Sequence, residues 1–250
     1  MMLSQTKERL THLKLYGMAT ELDRQISAID DISGLSFEER LSLLVDMEAT
    51  SRENRRLKRL LSEAHLRENA AIEDIDWSFK RGLDRGGIQS LATCTWIDKR
   101  LNALITGPTG VGKTFIACAL ANAACRQGHS ALYFRLPRLL GELKLARADG
   151  SFLKFLNRLA KTKLLVIDDW GLNPLSDTER NDILEVLEDR YRSRSTIVAS
   201  QIPIDRWHEM IGNPTIADAI LDRIVHNAYK LDLKGGSMRK NMSDLTDSVH

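Results

Sequence analysis

Gly107-Pro108-Thr109-Gly110-Val111-Gly112-Lys113-Thr114 decides how this chain of 250 residues is read. The stretch has the form GxxxxGK[ST], and its flanks suit it: a strand-like run at 101–106 leads in, and an apolar helical run opens at Lys113. Glycines let the backbone curl until successive N–H groups point at one anion, and the helix N-terminus adds the positive end of its dipole. Lys113 is expected at the β- and γ-phosphates of a nucleoside triphosphate, and the Thr114 hydroxyl on magnesium. All eight residues, Gly107, Pro108, Thr109, Gly110, Val111, Gly112, Lys113 and Thr114, are therefore read as phosphate-binding.

A loop of this kind needs an acid at the end of a neighbouring buried strand. Leu164-Leu165-Val166-Ile167-Asp168-Asp169 supplies one: four apolar residues to cross a sheet, then two carboxylates at its C-terminal edge. Asp168 is placed to hold magnesium and Asp169 to polarise an attacking water as general base.

Outward from these two motifs, short apolar runs alternate with longer helical patterns. The runs are Asn102–Thr106, Ala131–Arg135, 164–167, 196–200 and 229–233, and the helical stretches 113–127, 137–160, 177–192 and 205–227. Strand and helix in alternation imply a parallel five-stranded sheet covered on both faces, an α/β fold.

Residues 1–75 read differently, as helix only. Leu15, Met18, Leu22, Ile26 and Ile29 form one apolar stripe, and Ser36-Phe37-Glu38-Glu39 has the form of a capping box that starts another helix. Within that helix Arg52, Arg55, Arg56, Lys58 and Arg59 have only Glu53 as a local acid. The expected organisation is a small all-α domain over 1–75, a nucleotide-binding domain over 76–240 with a connector at 76–99, and a flexible tail over 241–250.

The chain carries 36 Lys and Arg against 34 Asp and Glu, a net charge of +2, with 43% apolar residues. That excludes a disordered or low-complexity chain. Apolar runs such as 164–167 are far too short to cross a bilayer, and no membrane partner is expected. Residues 1–8 show no apolar signal region, so a cytoplasmic protein is expected. Cys94, Cys118 and Cys125 lack CxxC spacing and read as buried free thiols, and none of the six histidines has zinc-ligand spacing with a neighbour.

The distribution of charge says more than its sum. Residues 126–163 hold nine basic side chains against two acidic ones, whereas 1–75 hold 11 basic and 14 acidic. A local basic excess suggests a polyanion surface. Lys154, Arg158 and Lys161 fall on one helical stripe and Phe152, Phe155, Leu156 and Leu159 on the opposite one. With Arg135 and Arg138, that stripe is the candidate for sequence-independent contact with DNA backbone; it is equally the pattern of a solvated amphipathic helix.

The order of elements resembles the AAA+ ATPases, and the resemblance narrows to IstB-type proteins, the ATPase helpers encoded beside the transposase of bacterial insertion sequences. It is carried by Leu13-Lys14-Leu15-Tyr16-Gly17-Met18-Ala19, residues 52–59, the phosphate loop and Asp168-Asp169-Trp170-Gly171. Asp222-Arg223-Ile224-Val225-His226-Asn227 and Ser237-Met238-Arg239-Lys240 extend it to nearly the whole chain. It implies ATP and Mg2+ as cofactors and hydrolysis to ADP and phosphate in a homo-oligomer. It further implies assembly on double-stranded DNA and recruitment or stimulation of a transposase. Arg223 would act in trans as an arginine finger, and Ser200 or Gln201 would sense the γ-phosphate. Arg239 is the one candidate for a second sensor. The family's core is also similar to the helicase loader DnaC and the initiator DnaA, so helicase loading is the alternative function; a small-molecule kinase on the same loop is a third. Where many AAA+ proteins carry Asp-Glu, this chain has Asp168-Asp169, a base one methylene shorter.

Overall fold

The structure, a computed structural model, describes residues 2–28, 32, 34–79 and 81–238. Ile29, Arg239, Lys240 and the tail at 241–250 lie outside them. The chain forms two compact units, Met1–Arg59 and Leu60–His250. The divide therefore falls before residue 75. Leu60, Ala64, Ala70 and Ile75, all buried, belong to the second unit.

In the first unit lie α1 (Met2–His12), α2 (Tyr16–Ser27) and most of α3 (Phe37–Ala64). The capping box forms at the head of α3: Ser36 N donates to Glu39 Oε2 at 2.7 Å and Glu39 N to Ser36 Oγ at 3.3 Å. The buried side of α2 is Gly17, Ala19, Glu21 and Gln25, whereas Ile26 of the apolar stripe is exposed. Glu48 explains this inversion. Its carboxylate reaches from α3 to accept the N–H groups of Gly17 (2.7 Å) and Met18 (3.3 Å), two donors the first turn of α2 leaves unpaired. The helices approach so closely there that a Cβ on Gly17 would stand 2.6 Å from Glu48 Cα. Arg52 and Arg55 also converge on Glu48, so their partner is not the neighbouring Glu53. Against the cost of burial, Arg52 and the two N–H groups hold the Glu48 carboxyl below the usual carboxylate range.

The second unit is built on a parallel sheet of β1 (Asn102–Thr106), β2 (Ala131–Arg135), β3 (Leu164–Trp170), β4 (Ser195–Ser200) and β5 (Ala228–Asp232). The spatial order is β2-β3-β4-β1-β5. After β1 the chain crosses to the far edge and returns strand by strand, which leaves a switch point beside β1, the place where α/β sheets hold ligands. Around the sheet run α4 (Arg85–Ala92), α5 (Thr95–Asp98), α6 (Lys113–Arg126), α7 (Leu136–Asp149), α8 (Phe152–Lys161), α9 (Asp177–Arg190), α10 (Trp207–Ile211) and α11 (Pro214–Val225).

Three sequence expectations need correction. The helix expected over 137–160 breaks into α7 and α8 at Gly150, whose φ of +78° no other residue adopts readily. The one expected over 205–227 breaks at Gly212, also at +78°, after which Asn213 caps α11 and Pro214 opens it. The strand expected to end at Ile167 runs on to Trp170 through a register shift.

The core lies on both sheet faces. Leu104, Ile105, Leu165, Ile167 and Val198 are fully buried, and half of the buried residues of α6, which packs on the sheet, are alanine. Each large apolar side chain so buried contributes about 1.5–3 kcal/mol. Asn102 ties the lower edge together: its Nδ2 donates to the Arg223 carbonyl (3.0 Å) and its Oδ1 accepts from Thr196 N (2.9 Å). Arg190, 1% exposed, donates to the carbonyls of Leu159, Thr162 and Ser195 and to Thr196 Oγ1. Burial pushes its pKa down to about 9. The three cysteines are buried and free, and burial lifts the Cys94 and Cys125 thiols to about 11. Among the described residues no helix is long and apolar enough to cross a membrane.

Candidate functional site

The phosphate loop joins the end of β1 to the start of α6, at the switch point. Gly107, Gly110 and Gly112 have φ of +144°, +81° and +99°, a backbone that only glycine adopts freely. Gly112 is the N-cap of α6, so the helix dipole opens toward the concavity of the loop. Lys113 is buried, and its Nζ donates to the carbonyls of Gly107 (2.7 Å) and Pro108 (2.8 Å). The ammonium thus stands where it can exchange carbonyl oxygens for phosphate oxygens.

Asp168 is almost wholly buried and fully engaged. Its Oδ2 accepts from Thr114 Oγ1 (2.6 Å) and Tyr133 OH (2.7 Å), and its Oδ1 from the N–H of Asp169 (2.8 Å). A hydroxyl and a carboxylate meeting at 2.6 Å are oxygen donors of the kind a hard divalent cation takes. Burial and the charge of Asp168 push the Tyr133 phenol well above its ordinary value, so it stays a donor.

The two acids are displayed by a bulge. Ile167 pairs with Val198 and Trp170 with Ser200, so Asp168 and Asp169 together face the single residue Ala199. Asp169 takes a left-handed φ of +58°, which Asp tolerates better than most residues. One extra residue thereby turns consecutive side chains toward the same edge instead of opposite faces. Asp169 is not free: Arg135 Nε lies 2.5 Å from its Oδ2 and Arg67 Nη1 4.0 Å from it.

Ser200 and Gln201 are separated by geometry. The Ser200 hydroxyl donates to the Trp170 carbonyl (2.7 Å) and accepts from Ile202 N (3.0 Å), so it is spent on the turn after β4. Gln201 Oε1 accepts from Thr109 Oγ1 at 2.6 Å, touching the phosphate loop. Arg223 stands apart from both. It lies at the lower edge of the sheet, paired with Glu188 and over the Tyr191 ring, its carbonyl held by the first residue of β1. The length of β1, roughly 13 Å at ~3.3 Å per residue, separates that edge from the loop.

On α8, Lys154, Arg158 and Lys161 are exposed and form no ion pair among the described residues, while Leu156 and Leu159 are buried. Arg138 pairs with Glu142, and Arg147 and Arg126 also have acid partners. A cavity of about 540 Å³ beside the acids is lined by Arg67, Arg135, Arg138 and Arg158 with Phe134 and Phe155. Two of these residues escaped the sequence reading. Tyr133 looked like one more apolar residue of β2, and Arg67 has no local pattern that points at Asp169.

Residues 8–246 match the family model described as IstB-like ATP binding protein. The chain is 48% identical over 236 residues to an insertion sequence ATP-binding protein of Sinorhizobium fredii, covering 94% of this chain and 96% of that one. It is 50% identical over 204 residues to the ATP-binding protein of insertion sequence IS1162 of Pseudomonas fluorescens, covering 81% and 88%. Among solved structures it resembles DnaI (TM-score 0.56, 23% identity, 71% of this chain and 94% of that one). It also resembles the replication initiator DnaA bound to AMPPCP and single-stranded DNA (TM-score 0.55, 14% identity, 74% and 56%). These likenesses show a shared fold, an α/β domain on a parallel sheet.

Proposed function

This chain belongs to the IstB-like ATP-binding protein family, and from that premise we propose that it is a homo-oligomeric ATPase that assembles on DNA and recruits or stimulates a transposase. The observation that carries the reading is the convergence of Lys113, Thr114 and Asp168 at the switch point of the sheet. Lys113 leaves its two carbonyls for the β- and γ-phosphates of ATP. Thr114 and Asp168 hold Mg2+, which when bound neutralises charge on the phosphate oxygens. Asp169 takes the proton of the attacking water, Gln201 contacts the γ-phosphate, and Ser200 holds the turn that presents Gln201. Arg223 lies at the opposite end of β1 from its own loop, its side chain on Glu188, which supports its service to the nucleotide of a neighbouring subunit.

Lys154, Arg158 and Lys161, with Arg135 and Arg138, supply the contacts to double-stranded DNA through the phosphate backbone. Arg135 belongs to both sites, since it also neutralises Asp169. A DNA phosphate that draws Arg135 away leaves Asp169 a freer base, which ties hydrolysis to DNA. Arg135→Ala is accordingly expected to raise DNA-free hydrolysis about threefold and flatten its response to DNA, since an exposed ion pair contributes ~0.2–1 kcal/mol. A steady-state ATPase assay with and without duplex checks it. Lower DNA-free turnover with full stimulation by DNA would contradict the coupling.

The reading as a whole is tested by measuring particle size and duplex binding with ATP, ADP and no nucleotide. ATP is expected to give the largest particles and tightest binding, with affinity falling steeply as salt rises. Monomers that ignore DNA in all three states would exclude it. The family match over residues 8–246 supports a transposase rather than a helicase as partner. Retention of a replicative helicase, and no transposase, in a pulldown would reverse that choice.

A further inference from the structure

Arg67 belongs to the loop that follows α3, and that loop is pinned on both sides of it. Ala64 and Ala70 are buried, and the backbone N–H groups of Arg67 and Glu68 hydrogen-bond the Cys118 sulfur of α6. A fixed backbone thus delivers the side chain to the edge that carries the two acids. Its guanidinium hydrogen-bonds the Tyr133 hydroxyl, and its Nη1 stands 4.0 Å from Asp169 Oδ2. The Tyr133 hydroxyl in turn donates to Asp168 Oδ2, the atom that accepts from Thr114. One cation therefore spans both acids, reaching Asp168 through Tyr133 and Asp169 directly.

The bulge gives such a bridge something to do. It turns Asp168 and Asp169 to one edge, where two like charges repel. Arg135 also neutralises Asp169, but it does so by occupying Oδ2 at 2.5 Å. Arg67 leaves that oxygen room, since 4.0 Å is a distance for Coulomb attraction and too long for a hydrogen bond. The two arginines therefore act differently on one carboxylate. Arg135 caps it, and Arg67 holds its direction.

We infer that Arg67 is a positioning residue for ATP hydrolysis, a bridge that keeps Asp169 aimed beside the metal-binding acid once Arg135 has gone to DNA. The inference rests on Asp169 being the base. Arg67 acts through Asp169 and Tyr133, whereas ATP affinity is set at Lys113 and the loop. Its loss therefore falls on turnover and spares binding.

The test compares the full-length wild type with Arg67→Gln, Arg67→Lys, Asp169→Asn, Tyr133→Phe and the double variant Arg67→Gln/Tyr133→Phe. ATP affinity, nucleotide-free melting temperature and turnover at saturating ATP, Mg2+ and duplex are measured for each. Arg67→Gln is expected to keep ATP affinity and melting temperature and to lose turnover roughly 10- to 100-fold, the range for an outer partner of a metal site. Arg67→Lys should recover part of the loss, because the charge returns without the fork. In the Tyr133→Phe background Arg67→Gln should cost less than in the wild type, since one end of the bridge is already gone. Wild-type turnover in Arg67→Gln while Asp169→Asn is slow overturns the role of Arg67 alone. Wild-type turnover in both overturns the reading of Asp169 as base with it. Faster turnover in Arg67→Gln would make Arg67 a second cap on Asp169 and overturns the bridge. So does full additivity with Tyr133→Phe. A loss that tracks weaker ATP binding and a lower melting temperature also overturns it, since that is the signature of a scaffold.

Discussion

Lys113→Ala is expected to weaken ATP binding by roughly 100- to 4,000-fold, because removing one partner from a buried charge pair costs about 3–5 kcal/mol and each 1.4 kcal/mol is tenfold. Lys113 is 8% exposed and has its ammonium at the loop, so the phosphates have no substitute cation at that point. The fold should survive. The variant releases the Gly107 and Pro108 carbonyls, which lie at an open edge where water can reach them. Calorimetric titration beside a melting curve separates the two effects. Near-normal affinity in a folded variant would remove the loop as the nucleotide site.

Asp169→Asn is expected to keep ATP and cut turnover by about 10²- to 10⁴-fold, the range for losing a general base. The amide keeps the shape of the side chain and a partner for Arg135 but cannot accept a proton. A second consequence follows from Arg223 lying at the far edge from its own loop. Arg223→Ala subunits keep an intact base, and Asp169→Asn subunits keep an intact finger. Mixtures of the two should hydrolyse ATP faster than either alone, with the greatest rate near equal proportions. Mixtures as inactive as their components at every ratio would exclude action in trans, and unchanged turnover in Asp169→Asn alone would remove Asp169 as base.

The reach of the sequence depended on whether a feature was local. β1 and β2 begin and end where their apolar runs do, and the glycine-rich loop is legible because its residues are consecutive. Asp168 and Thr114 are both expected at magnesium from their motifs, and they meet although β4 lies between β3 and β1. The bulge could not, since a pair of aspartates reads as the end of a strand until β4 is seen to pair beyond them. Gly150 was hidden by an apolar period that continues on both sides of it, while Gly212-Asn213-Pro214 carried a stop and a start that the longer pattern obscured. The contacts of Tyr133, Arg67 and Arg135 with the two acids join elements up to about a hundred residues apart, and no local spacing encodes such meetings. Between Ser200 and Gln201, only their neighbours decide which side chain remains available.

The side chain of Asn102 bears on more than the lower edge of the sheet. β1 is five residues long; one end continues into the phosphate loop, and the other is fastened through Asn102 to the carbonyl of Arg223. Whatever shifts the strand along its axis is felt at both ends. If Arg223 serves the adjoining subunit, β1 is a push-rod between the nucleotide a subunit holds and the help it gives next door. Occupancy could then pass around an assembly in one direction, each protomer reporting its own state through the arginine it extends.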